Sequence, residues 1–313
     1  MRILMAALEG ITTAIFRSIY CKFFKGMDGI YTPFISVQRS HTFKTRDKRE
    51  FRPFAENTVP QLLCSNAEDF IWAAKVMGDE GYEEINLNAG CPSGTVVSKK
   101  RGSGMLDDLL IFSRFLDAYF EAKEKENLPE LSVKTRVGLD SYDEAGDIAR
   151  LYKRYPFSKI IVHPRIRKDF YKNKPDPEAF RVFYDMLPAE KLVYNGDLFT
   201  VEDVSAIRAE FPMINGVMLG RGLLADPFLA KKIRGDHNQK PDEERRIIKA
   251  FLEELYSAYE EEMSGERDVL FKMKDIWQFI GPGFPEASKE LKTIRKCRGK
   301  EEYFSAVNSI FRN

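Results

Sequence analysis

Short apolar runs alternate with longer amphipathic stretches over the first two-thirds of the chain. The apolar runs fall at 3–8, 29–35, 59–64, 84–88, 132–137, 159–163, 191–195 and 216–220. Within them polar and apolar residues do not alternate; Lys159-Ile160-Ile161-Val162-His163 is an example. Such runs read as strands of a parallel sheet that is covered on both faces. Between them a 3.6-residue period predicts helices over 67–79, 109–125, 142–150, 177–186 and 201–210. Eight strand–helix units within the first 235 residues predict an α/β chain folded as a closed (β/α)8 TIM barrel, ahead of an open doubly wound sheet.

Two segments break the rhythm. Residues 36–57 form a long polar connection with three more cations than carboxylates, and loops of that length in a compact domain are commonly functional. Residues 235–242 read as a linker. Beyond them only helical periodicity remains, interrupted at Gly281-Pro282-Gly283 and Gly299. The expected organisation is a catalytic barrel over 1–235 followed by a small all-helical domain over 242–313.

Composition narrows the function classes. With 313 residues and 43% hydrophobic content the chain can bury a sizeable core. Its formal net charge of +1 means that any nucleic-acid partner has to be met by a local basic patch. Four cysteines without a C-x-x-C pair, beside three histidines, argue against a structural zinc and suit a reducing cytoplasm. Glu9 ends the N-terminal apolar run, and no stretch approaches the roughly 20 apolar residues of a membrane span. A cytoplasmic protein is expected, with no membrane and no obligate protein partner.

Polar residues gather at successive strand ends: Gln61, Asn86 and Asn88, Lys134 and Arg136, His163 and Arg165, Asn195-Gly196-Asp197, and Gly220-Arg221-Gly222. In a barrel these ends converge on one mouth, where the active sites of this fold lie. The last two groups follow the seventh and eighth strands, the usual place for a phosphate, with glycine backbone N–H groups as donors and Arg221 as a forked cation. Lys134 and Arg136 alternate along one strand and so share a face. Two cations inside a barrel need an anion or strong hydrogen bonds, and a flavin meets that need; acidic side chains deeper in the barrel are the alternative. Cys91 lies just past the fourth strand between Gly90 and Pro92, in a shaped turn rather than a core. Its thiol could act as nucleophile or proton donor, and spacing leaves both open. Cys64 and Cys21 read as small buried hydrophobes.

Asn86-Leu87-Asn88-Ala89-Gly90-Cys91-Pro92-Ser93, followed by Gly102-Ser103-Gly104-Met105-Leu106, resembles the signature of the tRNA-dihydrouridine synthases. The likeness continues through Val133–Gly138, Val162-His163-Pro164-Arg165, Asn195-Gly196-Asp197 and Leu219-Gly220-Arg221-Gly222, in order and spacing, over residues 3 to about 235. It implies an FMN-dependent enzyme that takes electrons from NADPH and reduces the C5–C6 double bond of a uridine flipped out of tRNA. It further implies that Cys91 protonates C5 and that Asn88 positions the uracil. Ala6 and Ala7 would border the flavin ring, Gln61 and Lys134 its polar edge, and His163 would lie nearby. Asn195, Gly196, Asp197, Gly220 and Arg221 would hold the FMN phosphate, and Arg136 and Arg165 would contact flavin or substrate. Two positions depart from the family pattern: no proline precedes Met5, and Pro164 stands where His-Gly-Arg is usual.

The helical tail resembles the family's RNA-binding domain more loosely. From Asp242 onward it holds 13 Lys/Arg against 15 Asp/Glu, so it is not basic as a whole. Between 289 and 300, however, Lys289, Lys292, Arg295, Lys296, Arg298 and Lys300 face only Glu290, and 289, 292 and 296 share one helical face. Lys292 and Lys296, with Lys272 and Lys274, are the expected phosphate contacts to tRNA. A free-pyrimidine-reducing FMN barrel is the nearest rival, but a small substrate needs neither a helical tail nor a basic stripe.

Overall fold

The structure is a computed structural model that describes residues 1–52, 57–236 and 238–312. Its strands are β1 (Arg2–Met5), β2 (Gly29–Tyr31), β3 (Ile35–Ser36), β4 (Thr58–Val59), β5 (Gln61–Leu63), β6 (Glu84–Ala89), β7 (Glu130–Gly138), β8 (Ile160–Ile166), β9 (Leu192–Tyr194) and β10 (Gly216–Leu219). They run in the order β3-β5-β6-β7-β8-β9-β10-β1-β2-β4, every pair parallel. The two ends of that order are halves of neighbouring staves. β2 and β3 are one stave interrupted at 32–34, and β4 and β5 are one stave interrupted at Pro60, which has no N–H for the ladder. Because β2 pairs with β4 and β3 with β5, the sheet closes on itself as eight staves. Thr32 bridges the gap, its N–H donating to the Val59 carbonyl at 3.1 Å while its Oγ1 accepts from Gln61 N at 3.0 Å. The expected (β/α)8 TIM barrel is therefore the fold, with a helical C-terminal region after it.

Local chemistry explains most helix ends. Asn66 caps Ala67–Asp79 by accepting from Asp69 N at 2.9 Å, and Asp108 caps Leu109–Lys125 by accepting from Leu110 N and Ile111 N at 3.0 Å. Asp176 caps Pro177–Met186, which starts on Pro177. The helix expected from Tyr142 opens instead with a 3-10 turn, Tyr142–Glu144, and is α-helical over Ala145–Lys153. The cause is Glu144, whose carboxylate accepts from the N–H groups of Leu139, Asp140 and Ser141 and tightens the entry. The polar connection at 36–57 contains a helix, Thr45–Phe51. Phe51 is its single large apolar residue, so no period announced it; Phe51 is buried against Phe43, which in turn packs on Trp72.

The chain groups into two compact units. The first comprises Met1–Ala7, Asp28–Asp197 and Val204–Leu219. Leu4, Tyr31, Ile161, Val193 and Met218 from five staves fill its barrel core beside Ala6. At the strands' N-terminal end Lys159 pairs with Glu84, on which the Tyr31 hydroxyl also lies, at 3.4 Å.

The second unit comprises Leu8–Met27, Leu198–Asp203 and Gly220–Asn313. Its helices include Ala14–Phe23, Pro241–Glu262, Glu266–Ile280, Ser288–Lys296 and Lys300–Ile310. Phe251 is fully buried and meets Phe16, Tyr20 and Phe24 edge-on, with ring centroids 5.1–5.8 Å apart. The Trp277 indole N–H donates to the Tyr303 hydroxyl at 3.0 Å, linking two further helices. Phe251→Ala should cost about 3–5 kcal/mol, because truncating a buried aromatic leaves a cavity between three rings that cannot all collapse. Urea unfolding followed by circular dichroism reads this; a loss under about 1 kcal/mol would mean the cluster is not what secures the helices.

Candidate active site

Strand register sets the polar residues in rows across the barrel. Gln61 lies opposite Asn86, which lies opposite Ser132; Asn88 lies opposite Lys134, and Arg136 opposite His163. In the first row the buried side chains satisfy one another. Gln61 Nε2 donates to Asn86 Oδ1 at 2.8 Å, Asn86 Nδ2 to Ser132 Oγ at 2.9 Å, and Ser132 Oγ to the Ile85 carbonyl at 3.2 Å. Asn88 Nδ2 donates to Gln61 Oε1 at 2.7 Å and joins the second row to the first.

Asn88 also reaches the cysteine. Its Oδ1 accepts from Gly90 N at 3.1 Å and Cys91 N at 3.0 Å. On the other side, the Cys91 carbonyl accepts from Ser103 twice, from its N–H at 3.0 Å and its hydroxyl at 2.9 Å. Both backbone groups of Cys91 are thus held, and its side chain is half-buried. Close approach constrains the glycines nearby, Gly102 most of all. A Cβ at Gly90 would lie 3.3–3.5 Å from the backbone of 134–136, and one at Gly102 (φ +57°) would meet Cys91 O at 2.8 Å. Cys64 is fully buried, as expected of a structural cysteine, while Cys21 is half-buried.

Three cations lie at this mouth, Lys134 and Arg136 beside the turn itself, and they differ in what holds them. Arg136 is spent on three carbonyls: Gly90 at 3.1 Å, Ile166 at 2.8 Å and Phe170 at 2.8 Å. It ties the cysteine turn to the end of β8, and acidic partners deeper in the barrel are not what neutralises it. Arg165 is 1% exposed and grips the Asp197 carboxylate with both terminal nitrogens, Nη1 at 3.1 Å, while its Nε donates to Asn173 O at 2.6 Å. Lys134 has no carboxylate partner among the described residues. Burial, then Arg136, pushes its ammonium down to about 8, and the proximity of Cys91 acts in the opposite direction.

His163 is buried and held neutral; desolvation, then Lys134 and Arg136, keep its pKa well below the usual imidazole range. Its Nδ1 faces the Asn195 carbonyl, which can only accept, so Nδ1 carries the proton. Nε2 is then the acceptor, 3.4 Å from Arg165 Nη1. Asn195 itself donates to the Met218 carbonyl at 2.8 Å. Gly196 sits where a Cβ would meet Pro175 at 2.9 Å, and Asp197 adopts φ +37°. Ala6 is buried at the tip of β1, its N–H on the Leu219 carbonyl at 2.7 Å, and Ala7 packs beside the core. Gly220 and Arg221 belong to the second unit, where Arg221 opens the short helix Arg221–Ala225 and lies over Phe199.

In the tail, Lys292 and Lys296 are exposed on Ser288–Lys296. Lys272 donates to the Gly10 carbonyl over the Tyr259 ring, and Lys274 donates to the Cys297 carbonyl. Sequence reasoning gave Ser103 no role beyond its place in a motif, and missed the segment after β8, in which Asp169 accepts from Tyr142 Oη at 2.6 Å and Ile166 N at 3.2 Å. A polar run at 167–174, long for a connection between a strand and a helix, was the available signal. Among the described residues no cluster of three or more His, Cys, Asp or Glu is placed to hold a metal, and no helix is long and apolar enough to cross a membrane.

Comparison with known proteins adds a family. The dihydrouridine synthase (Dus) family model matches residues 4–312. The tRNA-dihydrouridine(16) synthase of Pseudomonas syringae pv. tomato is 27% identical over 308 residues, covering 95% of this chain and 95% of its own. The tRNA-dihydrouridine synthase B of Pseudomonas putida is 26% identical over 273 residues, covering 82% of this chain and 77% of its own. Among solved structures, the old yellow enzyme homologue of Zymomonas mobilis aligns with a TM-score of 0.51 at 14% identity, over 77% of this chain and 90% of that one, a likeness of fold. With a family match spanning nearly its whole length, and a closed barrel to carry it, this chain belongs to the dihydrouridine synthase family of oxidoreductases.

Proposed function

We propose that this chain is a cytoplasmic tRNA-dihydrouridine synthase, which reduces the C5–C6 double bond of a uridine in tRNA with FMN as cofactor and NADPH as electron donor. The observation that carries this reading is the juxtaposition of a doubly clamped Cys91 with Lys134, a half-buried cation lacking a carboxylate partner among the described residues. A cation so placed fits an anionic group. The donor set around it suits a flavin: Lys134 and Gln61 for the polar edge of the ring, Ala6 and Ala7 as small bordering residues, and His163 nearby. The phosphate is assigned to Asn195, Gly196, Asp197, Gly220 and Arg221, as the family resemblance implies.

Bound FMN, once reduced by NADPH, supplies the hydride that uracil C6 receives. This chain's residues do the rest. The Cys91 thiol gives its proton to C5 as negative charge builds there, and the thiolate regains a proton from water. Asn88 serves the uracil through the turn it shapes, since its oxygen is committed to Gly90 and Cys91. Arg136 and Arg165 act as positioning residues, because their guanidinium groups are bound to backbone carbonyls and to Asp197. Extruding a uridine costs a few kcal/mol, which contacts to the RNA backbone offset. Exposed Lys292 and Lys296 are better placed for that than Lys272 and Lys274, which already bond within the fold.

Cys91→Ala should retain FMN and its reduction by NADPH while dihydrouridine formation falls about 10²-fold or more, the usual worth of a positioned acid. Mass spectrometry of digested tRNA measures this, and a wild-type rate in the variant rules the proton-donor role out.

Lys134 is charged below about pH 8 and neutral above it, so its hold on an anion weakens as pH rises through that value. FMN affinity, followed by flavin fluorescence from about pH 7 to about 9.5, should fall across this range in the wild type and stay level in Lys134→Met. Identical profiles would refute the assignment of Lys134 to the flavin.

The double variant Lys292→Glu/Lys296→Glu should bind tRNA more weakly and with a shallower salt dependence than the wild type. Unchanged binding removes this helix from the RNA contact.

A further inference from the structure

A cavity of about 340 Å³ lies beside the cysteine turn, lined by Arg39, Ser65, Asn66, Asp69, Lys99 and Arg101. Its walls come from three segments of the first unit: the loop after β3, the loop after β5 with the first turn of Ala67–Asp79, and the loop after β6 that carries Cys91. All three loops leave the C-terminal ends of their strands, on the same rim as the mouth. The volume is roughly ten times the ~30 Å³ share of one water.

Charge in this cavity is one-sided. Arg39 and Lys99 are exposed, and neither has a carboxylate partner among the described residues. Arg101 is steadied by donating to the Val37 carbonyl at 3.2 Å, which leaves other guanidinium N–H groups for a ligand. The single carboxylate, Asp69, is buried and lies 3.3 Å from His41 Nε2. By contrast, the cavity of about 400 Å³ at the opposite end of the barrel contains the paired Lys159 and Glu84.

The backbone of the turn sorts its basic residues. Lys100 (φ +54°) and Gly102 (φ +57°) are both left-handed, and Lys100 is a conformation that side chains rarely adopt. The turn sends Lys100 away to pair with Asp107, while Lys99 and Arg101 line the cavity together with Arg39. Ser65 Oγ donates to the Lys99 carbonyl at 3.3 Å and pins one loop to the other. Arg101 is followed by Gly102 and Ser103, the residues that press on and clamp Cys91.

We propose that this cavity is a phosphate-binding subsite for the backbone of the RNA strand whose uridine is presented to Cys91. The inference rests on the tRNA-reducing function proposed above and adds a second, barrel-borne anchor to it. Forked arginine donors and a lysine point charge suit a phosphodiester. The exposure of Arg39, Asn66 and Lys99 leaves the cavity open for a strand to run through. A phosphate anchored by Arg101 would be fixed to the very segment that fixes Cys91, so substrate and acid would share one frame.

The test is the double variant Arg39→Gln/Lys99→Gln, prepared as the full-length, FMN-loaded protein. Affinity for an unmodified tRNA transcript is measured by fluorescence anisotropy at several salt concentrations, alongside thermal melting and the KM for NADPH. The expected result is an affinity loss of about tenfold and a salt slope shallower by about 0.7–0.9 per lost phosphate contact, with melting and the KM for NADPH unaltered. Wild-type slope and affinity in the variant would overturn the subsite while leaving the RNA reading intact. A raised KM for NADPH with RNA binding unchanged would also overturn it, by assigning the cavity to the phosphate of a nucleotide cofactor. A wild-type protein that fails to bind the transcript even at low salt would instead refute the RNA reading, and this subsite with it.

Discussion

Amide and hydroxyl groups inside a closed barrel have only one another to bond with, and an unpaired one costs about 1–3 kcal/mol. This constraint organises the site. Ser132, Asn86, Gln61 and Asn88 form an unbroken series of hydrogen bonds across β7, β6 and β5, and the series ends on the N–H of Cys91. Each member has its partners only if the strands keep their present register, and a shift of one residue would turn every one of them to the opposite face. The register of β5, β6 and β7 and the placement of the cysteine are therefore not separate properties. The same bonds specify both.

The mouth above this layer is unbalanced in charge, and the imbalance is graded. Arg165 is neutralised by Asp197, and Arg136 is solvated by three carbonyls that stand in for water. Lys134 receives neither treatment, and the cost appears as a proton held less tightly than usual. Burial first, then Lys134 and Arg136, keeps His163 neutral, which makes its Nε2 an acceptor rather than a further positive charge. Phe170 (φ +49°) and Asp197 (φ +37°) are non-glycine residues in left-handed conformations, and each is bound by one of these arginines. Strain of this kind persists only where its surroundings over-determine it. The arginines thus hold the rim in a shape that relaxed loops would not keep, and Lys134 is the charge left available to a ligand.

The barrel and its eight staves were legible from the sequence because apolar runs buried on both faces leave a strong signal. Strand ends were less so: β1 ends at Met5 rather than at residue 8, and β8 runs on to Ile166 rather than ending at residue 163. The helices Ala67–Asp79, Leu109–Lys125, Pro177–Met186 and Val201–Glu210 were readable to the residue from their period, and in the structure a side-chain cap fixes the first turn of three of them. Thr45–Phe51 was not, since one buried phenylalanine in seven residues makes no period and only its ring contacts show why the segment coils. Cys91 stood out by its Gly and Pro neighbours, yet the residue that clamps its carbonyl, Ser103, is twelve positions away, and its motif does not say which backbone group it holds. The contrast between Lys134 and Arg136 was equally hidden. Alternation places both on one face, but which cation is solvated by carbonyls depends on the path of the segment after β8, on which periodicity is silent.

The turn at 99–102 shows how tightly such features can be coupled. Two left-handed residues in four, one of them a lysine, cost on the order of 1–3 kcal/mol for the non-glycine. The turn does not relax because Gly102 is packed against Cys91 with no room for a Cβ, and Gly104 is packed equally closely against Val97. The Cys91 carbonyl that Gly102 presses on is also the one held by the two donors of Ser103, so the same segment bears on both. The backbone that fixes the cysteine consequently dictates where Lys99 and Arg101 project. Basic charge at the rim and the clamp on Cys91 are carried by one strained segment, 99–103, and so share one backbone frame.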